Sequence, residues 1–151
     1  MIRGRRPAHP SSPIVLIVED DDAIAESAVD VISSMGYRAV WARDGWQALA
    51  ALERERPSMM LVDLTLPGMS GSAFLRSVRN TPSWSNIPRF IMTGTNDSMI
   101  GVREDTAVFY KPFDMDALME VVQRYCDGTA RVGVPAPRDE DLGRHRAFGP
   151  G

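Results

Sequence analysis

The chain has 151 residues, 44% of them hydrophobic and 25% charged, which supports one ordinary globular core and leaves little room for a second folded domain. A net charge of −3 and a pI near 5.4 give no electrostatic case for nucleic-acid binding by the whole chain. Cys126 is the only cysteine, so an internal disulfide and a cysteine-built zinc site are both excluded, and the residue reads as a small buried hydrophobe.

No segment approaches the roughly 18 unbroken apolar residues of a membrane span. The basic start (Arg3, Arg5, Arg6) runs into Pro7, Pro10 and Pro13, with no apolar signal-peptide core behind it. A cytoplasmic protein without membrane or direct nucleic-acid contact is therefore the expectation. Residues 1–12 and 128–151, rich in Pro, Gly, Arg and Ser, are expected to be disordered tails around a domain at 13–127.

The charges themselves carry a signal. There are sixteen arginines and a single lysine, Lys111. A chain that supplies every other positive charge as Arg has a candidate position here for a compact ammonium on a flexible stem.

In chain order, residues 14–18 (Ile-Val-Leu-Ile-Val) form a short apolar run bounded by Pro13 and by acids, the pattern of a buried strand. Ile24, Ala28, Val31, Ile32 and Met35 recur at helical spacing, with Gly36 as the stop. Residues 37–42 read as a second strand. Asp44 caps a helix carrying Ala48, Leu49 and Leu52 that ends by Pro57. Residues 59–62 are a third strand delivering Asp63, and residues 72–78 a short third helix. Phe90, Ile91 and Met92 form a fourth strand delivering Thr93, and a weak helix compromised by Gly101 is expected at 98–104. Residues 107–110 form a fifth strand delivering Lys111, and Asp114 caps a last helix carrying Leu118, Val121, Val122 and Tyr125. The three tryptophans, Trp41, Trp46 and Trp84, read as packing residues.

Five strands alternating with five helices over short connections predict an α/β fold, a doubly wound parallel sheet with helices on both faces and right-handed crossovers. Ligands of such sheets bind beyond the carboxyl ends of the strands. Glu19, Asp20, Asp21 and Asp22 follow the first strand, and Asp63, Thr93 and Lys111 end the third, fourth and fifth, so one sheet edge collects them all. Two carboxylates about 4 Å apart repel by roughly 4 kcal/mol at an effective dielectric near 20. Such a cluster calls for raised pKa values or for a cation, and an oxygen-only set in an open cleft suits Mg²⁺. A neighbouring lysine and threonine would complete a site for a phosphoryl group. Acids after a first strand also cap the next helix, a reading that stays open for Asp21 and Asp22.

Val18-Glu19-Asp20-Asp21, the run from Asp63 through Pro67 to Gly71, Thr93, and Lys111-Pro112-Phe113 together resemble the receiver domain of bacterial response regulators, over residues 14 to about 126. The resemblance implies a flavodoxin-like sheet of order 2-1-3-4-5 and a signalling switch of a two-component or phosphorelay system. It implies Asp63 as phosphoacceptor, charged from a histidine kinase or phosphotransfer protein. Mg²⁺ would be held by Asp20, Asp63 and the backbone carbonyl of Thr65, with Glu19 acting through water. Lys111 would pair with a phosphoryl oxygen, Thr93 would bond the phosphoryl group, and the Lys111–Pro112 bond would be cis. No turnover of an outside substrate is implied, and the output is altered binding to a downstream protein target. With no effector domain after residue 127, a single-domain regulator is the expectation.

The chain departs from the family twice. The family usually carries an aromatic three residues before the lysine, and Val108 stands there, with Phe109 and Tyr110 beside it. Thr93 and Lys111 are 18 positions apart, about one helical turn short, which predicts a shortened or irregular fourth helix. Both departures keep open a competing reading, a receiver-fold interaction module that works without phosphorylation, but they leave the acid cluster untouched and phosphorylation the better reading. A phosphatase acting on outside substrates would need a general acid two residues after the nucleophile, where Thr65 stands.

Overall fold

A computed structural model of the chain describes residues 11–94, 107–111 and 114–127. Its elements are β1 (Ile14–Val18), α1 (Asp22–Ser34), β2 (Arg38–Ala42), α2 (Gly45–Arg54), β3 (Met59–Asp63), α3 (Gly71–Asn80), β4 (Arg89–Thr93), β5 (Ala107–Tyr110) and α4 (Met115–Cys126). The strands form one parallel sheet in the order β2-β1-β3-β4-β5. The helix expected at 98–104 and the Lys111–Pro112 bond lie outside the described residues, as do the tails apart from Ser11 and Ser12.

Side chains of successive strand residues point to opposite faces, so an apolar run with no alternation must be covered on both sides. The packing follows that rule. Val15, Ile17, Met59, Leu61, Phe90 and Met92 face α1 and α4. Leu16, Val18, Met60, Val62 and Ile91 face α2 and α3. Phe74 of α3 and Leu118 of α4 are fully buried, each worth about 1.5–3 kcal/mol of apolar transfer.

Local chemistry sets the helix ends. Asp21, Asp44, Ser70 and Asp114 are the N-caps, accepting from the backbone N–H of Ile24, Gln47, Ala73 and Asp116 at 2.8–3.1 Å. Each such cap contributes about 1 kcal/mol. After α1, Gly36 takes a φ of +89°, its N–H reaching Ser33 O while that of Tyr37 reaches Ile32 O. This pair of hydrogen bonds closes the helix in the left-handed turn that glycine adopts without steric cost.

Chain order in the sheet reverses at β1: β2 lies on one side of it and β3 on the other. The switch point therefore falls between the carboxyl ends of β1 and β3. Val18 pairs with Val62, so the next residues along, Glu19 and Asp63, leave adjacent strands side by side.

Candidate functional site

Parallel register brings the predicted residues together. Asp63 pairs with Met92 and Thr93 with Tyr110, and the Lys111 N–H donates to Thr93 O at 2.8 Å. Strand ends far apart in sequence thus put Lys111 Nζ 3.2 Å from Asp63 Oδ2 and 3.0 Å from Glu19 Oε2. Glu19 is fully buried, Asp63 is 3% exposed, and Asp20 is exposed. Each of these three acids offers an oxygen within 4.8 Å of the other two. At that separation two full charges repel by roughly 3.5 kcal/mol at an effective dielectric near 20.

Backbone donors orient the carboxylates. The Thr65 N–H donates to Asp63 Oδ1 at 2.9 Å, and the Asp21 N–H to Glu19 Oε1 at 3.1 Å. Glu19 Oε2 touches the ammonium as an ion pair but has no aligned hydrogen-bond donor among the described residues. Burial, joined by the Asp63 carboxylate, pushes the Glu19 pKa up to about 7 against the opposing pull of Lys111. Burial also works against the Lys111 ammonium, but Glu19 and Asp63 outweigh it and the lysine pKa rises above its ordinary value. Among the described residues, three acids gather around one ammonium, two of them buried and Asp20 exposed, which leaves an excess of negative charge. That surplus fits a divalent cation with oxygen ligands.

Thr93 is fully buried at the end of β4, and its hydroxyl donates to Gly94 O at 3.1 Å. Thr65 is exposed on the loop after β3. Of the remaining acids, Asp21 caps α1 and Asp22 pairs with Arg43 at 2.6 Å, so these two serve the helix end and its surroundings. Val108, in the position where an aromatic was expected, is buried on the α2/α3 face of the sheet.

Comparison with known proteins gives the family. The family described as response regulator receiver domain matches residues 15–123. The chain belongs to that family. Among its relatives, sporulation initiation phosphotransferase F of Bacillus subtilis is 35% identical over 115 residues, covering 74% of this chain and 91% of the relative. Protein Rrf1 of Nitratidesulfovibrio vulgaris is 30% identical over 131 residues, covering 82% and 95%. The solved signal receiver domain of a signal transduction histidine kinase from Syntrophus aciditrophicus superposes with a TM-score of 0.71 at 27% identity, covering 84% of this chain and 99% of that one. The protein is thus a receiver domain of two-component signalling, with the flavodoxin-like strand order. Among its described residues no helix is long and apolar enough to cross a membrane.

One residue at the receiver's site escaped the sequence reading. Trp41, near the end of β2, does more than pack. Its indole Nε1–H donates to the backbone oxygen of Glu19 at 2.8 Å. The contact arises from the β1–β2 register, which pairs Ile17 with Trp41, and no local sequence pattern announces it.

Proposed function

We propose that this receiver is a phosphorylation switch in which the Asp63 carboxylate is the phosphoacceptor. The observation that carries the reading is the 3.2 Å contact between Asp63 Oδ2 and the only lysine of the chain, beside two further acids. An Asp63 oxygen attacks the phosphorus of a phosphohistidine on a partner kinase or phosphotransfer protein. The O–P bond forms as the N–P bond breaks, and the bonding pair leaves with the imidazole, which takes up a proton. The name of the Bacillus relative, a phosphotransferase, supports this class of chemistry.

Asp20, Asp63 and the Thr65 carbonyl, with Glu19 through water, would hold Mg²⁺, which when bound supplies positive charge against the carboxylates and the incoming phosphoryl oxygens. Lys111 offers its ammonium to a phosphoryl oxygen, and the Thr65 N–H holds Asp63 Oδ1 so that Oδ2 faces Lys111. The Thr93 hydroxyl, now on Gly94 O, exchanges that bond for the phosphoryl group. The resulting change of surface alters binding to a downstream protein. No outside substrate is turned over.

A second reading rests on Val108. A buried aliphatic side chain cannot swing between inward and outward positions as a ring does, which favours an interaction module that works without phosphorylation. Transfer from a radiolabelled phosphohistidine protein separates the two. The switch requires label on this chain that hydroxylamine releases, as it does an acyl phosphate, and that Asp63→Asn abolishes. Failure to accept label from a donor that charges other receivers would leave the second reading.

A further inference from the structure

We infer that Trp41, braced by Arg43, is a positioning residue for the cation-binding acids Glu19 and Asp20, an inference that rests on the switch reading above. The Glu19 carbonyl belongs to the peptide unit joining Glu19 to Asp20. That unit is planar, so fixing its oxygen fixes the last dihedral of Glu19 and with it where the Asp20 nitrogen and Cα stand, the point from which the Asp20 side chain leaves the backbone. The Trp41 Nε1–H holds this oxygen at 2.8 Å. On the other side of Glu19, its own N–H donates to Ala42 O at 3.0 Å. Both peptide units flanking Glu19 are therefore tied to the end of β2, the first by the last rung of the β1–β2 ladder and the second by the indole.

The indole is itself held. The Arg43 guanidinium lies 4.5 Å from the Trp41 ring centroid, and the same side chain reaches Asp22 at 2.6 Å. The Arg43 backbone N–H is taken by Gln47 Oε1 at 2.9 Å, which ties the turn to α2. The exposed Arg43–Asp22 pair adds little stability by itself. Its consequence is geometric: strand end, indole, guanidinium and the first turn of α1 form a closed loop around the Glu19–Asp20 peptide. A phenylalanine at position 41 would fill much of the same half-buried space and keep the stack but would lack the donor.

The test compares the wild-type chain with Trp41→Phe by calorimetric titration with Mg²⁺, alongside urea unfolding of both without metal. Loss of one hydrogen bond that orients a ligand predicts Mg²⁺ binding weakened roughly three- to tenfold. Equal Mg²⁺ affinity in the two proteins, with or without a fall in stability, overturns the inference, because a residue that only packs would change unfolding alone. In the wild-type chain without metal, the Trp41 indole N–H is expected to exchange with solvent more slowly than that of exposed Trp46. With Trp46→Phe and Trp84→Phe in place, the remaining Trp41 emission is expected to change as Mg²⁺ is added. An indole proton that exchanges as fast as that of Trp46 also overturns the inference. A wild-type chain that binds no Mg²⁺ while its indole proton is protected removes the cation reading and this role with it, an outcome distinct from equal affinities.

Discussion

A Cβ added to Gly71 would stand 2.3 Å from the carbonyl oxygen of Asp63 and 2.6 Å from the Cα of Leu64. The first residue of α3 thus lies directly against the backbone of the residue that the switch reading makes its acceptor. The Gly71 N–H donates to Leu64 O at 3.2 Å, closing the loop between them.

From this contact, Gly71→Ala is expected to displace the loop, since backbone atoms cannot yield as a flexible side chain can. Overpacking of this kind costs about 1–3 kcal/mol. Urea unfolding should show the loss, and phosphorylation of Asp63 should fall with it. An unchanged unfolding midpoint would show that the helix start slides without cost.

Magnesium should stabilise the wild-type chain. Three acids crowd within 4.8 Å around one ammonium, so a bound cation relieves repulsion present only in the folded state. At a hundredfold excess of Mg²⁺ over its Kd the gain is about 2.7 kcal/mol, and a chelator should reverse it. Asp20→Asn should lose most of this gain. Thermal melts with and without Mg²⁺ measure it directly, and identical melts would contradict the cation reading.

Cys126 supplies a pH dependence away from the site. Burial, helped by the neighbouring Asp127 charge, pushes its thiol up to about 12. In the unfolded chain a thiol ionises near about 8.5. The folded state therefore favours the protonated form, and this contribution is complete below about pH 8.5 and lost as pH rises towards 12. Cys126→Ala should flatten the alkaline fall in stability over that window, and the native thiol should react far more slowly with a thiol reagent than the unfolded one. Equal reaction rates would show the thiol to be accessible.

Much of this architecture is legible residue by residue. Ile14–Val18 and Met59–Asp63 stand out because strands covered on both faces are apolar without alternation. Asp44, Asp114 and Gly36 mark helix ends through their own side chain or backbone freedom. The start of α3 is less legible: Gly71 is a poor helix former, placed there by its approach to Asp63, and Ser70 is the cap. The acid cluster follows from strand ends alone. The complete burial of Glu19 and the Trp41 bond to its carbonyl do not, because both depend on how β1 lies between β2 and β3.

The most direct test of the switch is the intact mass of the chain after incubation with Mg²⁺ and acetyl phosphate, with Asp63→Asn and a magnesium-free sample alongside. The arrangement of Asp63, Lys111, Glu19 and Asp20 predicts a gain of one phosphoryl group, absent from both controls. An unchanged mass, with the donor proven active on another receiver, would contradict it and leave the phosphorylation-independent module as the reading of this site.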